Sequence, residues 1–221
     1  MALKFTLSNI LQFYTFLSPI FIPLFLLIKS TMDYNIKGLI YLVGLFFNYM
    51  VGILVKSLFY HMDSKSRALG ETPQFERQPV RMKWPLHPGQ TARGVPDYCS
   101  VFEGPWFTSA LGATSMPSLN AMFHAFTLLY IIMGTSTNPN TPGIPLIIVL
   151  AITAITNMVL RVRLFCDRMT DVGIGLILGS ALGVAWYFII NSWNPTYVYY
   201  GKDDPTKQCK LGKTKFKCSY N

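Results

Sequence analysis

The feature that most limits the fold of this chain is a series of five long apolar runs. They cover residues 5–28, 36–60, 117–133, 142–160 and 172–193. A helix needs about 20 apolar residues to cross the hydrocarbon layer of a bilayer, within a range of about 17–25. Only 13% of the residues are charged, whereas soluble domains carry about 25%. The sequence therefore predicts an all-α fold, a polytopic membrane bundle of about five transmembrane helices.

This pattern divides the chain into two parts. Residues 1–193 form the predicted transmembrane bundle, which includes a long proline-containing loop at 61–116. Residues 194–221 form a basic C-terminal tail with six lysines. The first apolar run follows a single lysine and no small-residue cleavage site comes after it, so we interpret it as a retained span.

Five spans place the connecting segments on alternate sides of the membrane. Face A is the side of the N-terminus, the 61–116 loop and the 161–171 turn, and face B is the side of the C-terminal tail. Face A carries eleven of the 19 lysines and arginines and face B carries eight. Because cytoplasmic loops carry an excess of these residues, the count favours a cytoplasmic N-terminus in an integral membrane protein.

The densest group of charges lies in the 160–183 stretch, where the fourth run meets the fifth. Its eleven residues from 161 to 171 contain three arginines and two aspartates, namely Arg161, Arg163, Asp167, Arg168 and Asp171. Charged residues four apart share a face when they lie on one helical turn. Two interpretations stay open, a binding site at the mouth of a membrane helix or a salt-bridged loop at the interface.

The third run carries a polar stripe at helical spacing, formed by Asn120, His124 and Thr127. An ionisable residue inside a membrane indicates a functional site by default. The competing interpretation is that His124 is a neutral, hydrogen-bonded packing group. The fourth run supplies candidate partners for it in Thr153, Thr156 and Asn157.

The fifth run contains Gly175, Gly179 and Gly183 at four-residue spacing. Small residues on one face of a membrane helix allow a neighbouring helix to approach closely. We therefore expect these glycines to serve packing rather than chemistry.

After the fifth run, Tyr197, Tyr199 and Tyr200 are predicted to form an aromatic belt at the membrane interface. Cys209 and Cys218 in the tail form a disulfide if the tail meets an oxidising compartment, and the alternative is that both are free thiols. The four cysteines of the chain show no metal-binding spacing. We expect no metal and no cofactor.

Three short stretches on face A follow one another in order along the chain. At the end of the second run, Lys56 is followed after six residues by Asp-Ser. At the start of the third run, Pro117 and Ser118 are followed by leucine and Asn120. After the fourth run, Arg161 is followed after five residues by Asp167 and after three more by Asp171.

Together these stretches resemble the signature of the type 2 phosphatidic acid phosphatase superfamily, a family of membrane lipid phosphatases. The first motif of this family is a lysine followed after six residues by Arg-Pro, and the second is Pro-Ser-Gly-His. The third is Ser-Arg followed after five residues by a histidine and after three more by an aspartate. The lysine, the Pro-Ser pair, the arginine and the final aspartate match at the same spacing. The resemblance covers about residues 36–193 and implies a lipid phosphatase-like helical bundle.

The resemblance also implies roles for individual residues. Lys56, Ser118 and Arg161 are the candidate phosphate- or anion-binding residues, because phosphoryl transfer requires positioning and charge stabilisation. In the family, one histidine attacks phosphorus and a second protonates the leaving group, and the aspartate that matches Asp171 orients the nucleophile. Here Asp167 and Asn120 stand at those two histidine positions.

These replacements remove the family's chemistry. An amide such as that of Asn120 is not a general acid near neutral pH, and His124, one turn later, is the possible substitute. A carboxylate 4 Å from a phosphate costs about 4 kcal/mol per pair of like charges at an effective dielectric near 20. We therefore expect Asp167 to pair with Arg161 and Lys56, so that the site neutralises itself.

Two functional hypotheses follow. The first is a non-catalytic, lipid phosphatase-like scaffold of a virion or organelle membrane, which binds anionic lipid headgroups and protein partners through the 61–116 loop and the lysine-rich tail. The second is a working lipid phosphatase or phosphotransferase acting on phosphatidic acid or a prenyl diphosphate, with Asp167 as nucleophile and His124 as acid. A channel or transporter lacks support because no internal repeat is present. No nucleic-acid partner is expected, and the oligomeric state stays open.

Overall fold

The computed structural model describes residues 7–70, 116–137, 143–164, 166–199, 208–211 and 216–219. These residues form a helical bundle, as predicted. Its helices are α1 Leu7–Met32, α2 Lys37–Ala68, α3 Leu119–Ser136, α4 Gly143–Arg163 and α5 Met169–Trp193.

Four helices in the described part of the chain, α2 to α5, are long and apolar enough to cross a membrane. An α-helix satisfies its backbone hydrogen bonds within one segment, which is the condition for crossing hydrocarbon. The chain is therefore a multi-pass membrane protein. The first predicted span, α1, is a helix of 26 residues that contains Pro19 and Pro23, and its crossing of the membrane stays a prediction. The second run continues past its predicted end at residue 60, so the 61–116 loop begins as helix.

The central helix of the bundle is α3. Of the 18 residues of α3, 61% are buried, whereas 28% are buried in an apolar stretch of 18 residues in each of α2, α4 and α5. Phe126, Tyr130 and Ile131 on this helix are fully buried. The polar residues His124 and Thr127 on α3 are buried as well, so they face other helices rather than lipid.

The glycine ridge of α5 packs directly against α3, as the four-residue spacing predicted. A Cβ atom added at Gly175 would lie 2.6 Å from the Ser118 carbonyl oxygen, and one at Gly183 would lie 2.6 Å from that of Phe126. A side chain at Gly179 would meet the backbone of Met122. The backbones of the two helices are thus in contact over two turns, which no larger residue would allow.

The segment after α5 folds back onto the bundle. It forms a short 3₁₀ helix at Pro195–Tyr197 and then buries Val198 and Tyr199. The Tyr199 hydroxyl donates to the Leu26 carbonyl oxygen at 2.9 Å, and its backbone N–H donates to the Tyr130 hydroxyl at 3.3 Å. The predicted interfacial belt is therefore wrong for Tyr199, because these hydrogen bonds hold it inside the bundle.

The C-terminal tail contains two short antiparallel strands, β1 Gln208–Leu211 and β2 Phe216–Ser219. Cys209 and Cys218 are direct partners in this register. The predicted disulfide between them stays a prediction, as does the alternative of free thiols. Most of the 61–116 loop, together with Tyr200 and the rest of the tail, lies outside the described residues.

Candidate functional site

The charged residues of the 160–183 stretch lie around a break between two helices. α4 ends at Arg163 and α5 begins at Met169, so Asp167 lies in the connection between them. The pairs Arg163 and Asp167, and Asp167 and Asp171, therefore do not lie on one continuous helix. The connection turns back on α4, since the backbone N–H of Cys166 donates to the Arg161 carbonyl oxygen at 2.8 Å.

This turn brings Asp167 onto the guanidinium group of Arg161. Arg161 Nε lies 2.5 Å from Asp167 Oδ2, and Arg161 Nη2 donates to Asp167 Oδ1 at 3.4 Å. The two side chains are only 5% and 1% exposed. Two contacts between a planar guanidinium and a carboxylate make this a directional, charge-assisted pair.

Ser118 gives the Asp167 carboxylate a further hydrogen bond. Its Oγ donates to Asp167 Oδ2 at 2.8 Å and accepts from the backbone N–H of Ala121 at 3.4 Å. A serine at the N-cap of a helix satisfies one of the backbone N–H groups that the first turn leaves free. Ser118 thus both caps α3 and binds Asp167.

Lys56 and Asn120 line the same cavity as Arg161 and Asp167. The cavity has a volume of about 410 Å³. Lys56 is only 1% exposed and has an interaction partner. We define the motif site as Lys56, Ser118, Asn120, Arg161 and Asp167.

The structure therefore gathers residues from all three motif-like stretches, although more than 60 residues separate Lys56 from Ser118 in the sequence. The predicted pairing of Arg161 with Asp167 is confirmed. The predicted pairing of Asp167 with Lys56 stays a prediction.

Asp171 makes a different set of hydrogen bonds, at the start of α5. Its Oδ2 accepts from the backbone N–H of Arg168 at 3.1 Å and its Oδ1 accepts from Thr170 Oγ1 at 3.4 Å. The Asp171 carbonyl oxygen accepts from the Ser118 N–H at 3.0 Å. A carboxylate in the first turn of a helix stabilises the free N–H groups there. Asp171 thus fixes the start of α5 and ties it to α3.

His124 lies apart from the motif site. It is six residues beyond Ser118 on α3, about 9 Å along the helix axis at 1.5 Å per residue, and it does not line the cavity in the described part of the chain. His124 Nε2 lies 3.2 Å from Ser18 Oγ, which also accepts from Asn157 Nδ2 at 3.2 Å. We call these three residues the His124 cluster.

The contacts of the His124 cluster fit a packing role for the histidine. All three of its side chains are buried. The predicted partner Asn157 donates to Ser18 on α1, which also contacts His124, and Thr153 Oγ1 lies 3.5 Å from the Tyr14 hydroxyl. The third member of the predicted stripe, Thr127, bonds to the Tyr41 hydroxyl at 2.8 Å.

Cys166, next to Asp167, is 2% exposed and disulfide-bonded. Disulfides form and persist in oxidising compartments. A disulfide on face A is at odds with the lysine and arginine count, which favoured the cytoplasm for that face. The side of the N-terminus stays a prediction.

The arrangement is suited to holding charge rather than to moving protons. Both oxygens of Asp167 accept hydrogen bonds, and the Asn120 amide is not an acid near neutral pH. No group of histidine, cysteine and carboxylate residues that could hold a metal ion occurs among the described residues.

Apart from Lys56, sequence reasoning missed the residues that α1 and α2 contribute to these sites. Pro19, Asn48 and Tyr49 line the cavity, and Ser18 joins His124 to Asn157. Asn48 could have been found, because an amide within an apolar run is unusual in a membrane helix. Ser18 carried no such signal, since small hydroxyl residues are common in spans.

Comparison of the chain with protein-family models, with curated proteins and with solved structures returned no match.

Proposed function

We propose that this chain is a non-catalytic, lipid phosphatase-like membrane protein that acts as a scaffold or partner-binding component of its membrane. The observation that carries the proposal is the pair between Arg161 and Asp167, which Ser118 reinforces. In this proposal the carboxylate of Asp167 occupies the place of a substrate phosphate. The cation that would bind a phosphate is neutralised within the chain.

The energetics of the pair support this reading. A phosphate entering the cavity would have to displace Asp167 from Arg161 or lie beside its carboxylate. Two like charges 4 Å apart repel by about 4 kcal/mol at an effective dielectric near 20. Displacing Asp167 instead would break a buried ion pair on one side, which costs about 3–5 kcal/mol. Both routes oppose the binding of a phosphorylated substrate.

The proposed partners are anionic lipid headgroups and proteins that contact the 61–116 loop or the lysine-rich tail. The net charge of +9 supports attraction to anionic lipid. Each lysine or arginine near such a surface contributes about 1 kcal/mol. The tail brings six lysines to face B, beyond the segment in which Tyr199 ties the chain to the bundle.

Phosphate release tests the proposal against the alternative of a working lipid phosphatase. The purified protein in detergent is assayed with phosphatidic acid and with a prenyl diphosphate, beside the double variant Asn120→His with Asp167→His. We expect no release by the parent. Activity in the double variant would further indicate that the scaffold is intact and that the chemistry was lost at these two positions.

Turnover by the parent that disappears in Asp167→Ala would overturn the proposal and make this chain an enzyme. A matched control is Asp33→Ala, at the exposed turn after α1 on face B. It leaves any activity of the parent unchanged.

A further inference from the structure

The cavity at the motif site extends deep into the bundle. Beyond the charged end its wall includes the apolar side chains of Leu42, Leu45 and Phe46 on α2 and of Phe123 on α3. Lys56 and Leu42 are fourteen residues apart on α2, about 21 Å at 1.5 Å per residue. The volume of about 410 Å³ falls within the range of about 300–1,000 Å³ typical of small-molecule sites. A cavity that is polar at one end and apolar along its length suits an amphiphile.

The charged groups at the polar end of the cavity do not favour the binding of an anion. Among the described residues, the cations that line the cavity are Lys56 and Arg161. Arg161 is bound by Asp167, and Lys56 has an interaction partner as well. A phosphorylated head group would have to break these interactions, whereas an uncharged head group would not.

The other polar side chains that the described residues contribute to the wall are neutral. Asn120 lies near the charged end, and Asn48 lies eight residues deeper than Lys56 on α2. Asn48 is 2% exposed, and its carboxamide oxygen has no hydrogen-bond partner in the described part of the chain. Buried polar atoms without a partner are rare in folded proteins. A hydroxyl group of an occupant would donate the missing hydrogen bond.

We propose that this cavity binds a neutral lipid with a hydroxylated head group, of the monoacylglycerol type, in preference to its phosphorylated counterpart. The hydroxyl groups bond to the carboxamides of Asn48 and Asn120, and the chain lies along the apolar wall. The inference rests on the proposed function, since it requires that the Arg161–Asp167 pair stays closed when the lipid is bound.

The test compares two lipids that differ only in a phosphate, 1-monooleoylglycerol and oleoyl lysophosphatidic acid. Each is titrated into the purified full-length protein in detergent, and the thermal unfolding midpoint is followed. We expect the midpoint to rise with monooleoylglycerol at concentrations at least tenfold lower than with lysophosphatidic acid. Equal or tighter binding of lysophosphatidic acid by the parent would overturn the inference.

Two variants separate this inference from a general affinity for detergent-like molecules. Asn48→Leu removes the unpartnered oxygen, so without lipid it unfolds at the parent's temperature or above, yet it binds monooleoylglycerol about tenfold more weakly. Val43→Leu, on the exposed face of α2, is the control and changes neither quantity. Unchanged lipid binding by Asn48→Leu would contradict the inference.

The second variant, Asp167→Asn, keeps the shape of the side chain and releases the charge of Arg161. We expect it to reverse the preference, so that lysophosphatidic acid binds more tightly than monooleoylglycerol. An unreversed preference would contradict the inference. Failure of the lipid to bind would leave the phosphate-release result intact, so the two proposals fail separately.

Discussion

The motif site and the His124 cluster are both buried and polar, but they differ in charge and in depth. The motif site lies at the face A end of the bundle and contains a buried ion pair. The His124 cluster lies about 9 Å deeper along α3 and is held by two hydrogen bonds of 3.2 Å between side chains of three helices. Charges are costly near the bilayer centre, so the ionic contacts lie near the interface and the deeper contacts join polar side chains.

The difference indicates how each cluster responds to the loss of a member. Removing one partner of a buried ion pair leaves an uncompensated charge, which is expensive. Removing one member of a hydrogen-bonded cluster costs less, because interhelical hydrogen bonds in membranes average about 0.6 kcal/mol. The motif site therefore contributes more to specifying the bundle than the His124 cluster.

The largest effect is expected at Asp167. The substitution Asp167→Ala leaves the guanidinium of Arg161 buried without its carboxylate, so we expect a loss of about 3–5 kcal/mol in the free energy of unfolding. Thermal unfolding in detergent measures it. Arg163→Ala, at the exposed end of α4, is the control and stays within about 0.5 kcal/mol of the parent. Parent-like stability of Asp167→Ala would show that the pair does not hold the helices together.

An intermediate loss of stability is expected at the contact between α5 and α3, the helix that contributes to both clusters. Gly179→Ala places a methyl group against the backbone of Met122, and overpacking of this kind costs about 1–3 kcal/mol. Gly173→Ala on the same helix is a matched control, because nothing lies within 4 Å of the added Cβ atom. We expect that variant to be neutral or slightly more stable. Equal unfolding midpoints for the two variants would argue against close α3–α5 packing.

The smallest effect is expected at Ser18. Ser18→Ala removes both hydrogen bonds that join His124 to Asn157, so we expect a loss of about 1 kcal/mol. Ser136→Ala, an exposed serine near the end of α3, is the control and leaves the unfolding midpoint unchanged. If Ser18→Ala lost as much free energy of unfolding as Asp167→Ala, the two clusters would not differ in their contribution to stability, which would contradict this account.

Much of the bundle could be predicted from the sequence, because hydropathy and helix length are local properties. Four runs became helices long enough to cross a membrane, and the spacing of Gly175, Gly179 and Gly183 predicted a close helix contact. The end of α2 was missed, because residues 61–68 continue the helix after the apolar run has ended. Hydropathy marks where a helix leaves the hydrocarbon, not where it stops.

The motif site was predictable for a different reason. Arg161 and Asp167 lie close in sequence, and the order of the motif-like stretches indicated which distant residues would join them. The His124 cluster needs Ser18 from α1, and the burial of Tyr199 needs Leu26 from α1 and Tyr130 from α3. These contacts depend on how helices pack, which a single sequence does not reveal.

A double-mutant cycle on Arg161 and Asp167 tests the central claim most directly. The variants Arg161→Met, Asp167→Leu and their combination are compared with the parent by unfolding in detergent. Well-packed apolar replacements of a buried pair are often neutral or stabilising, whereas single removals cost about 3–5 kcal/mol. We therefore predict two unstable single variants and a double variant close to the parent. A double variant whose loss equals the sum of the two single losses would contradict the claim that Asp167 neutralises Arg161 within the site.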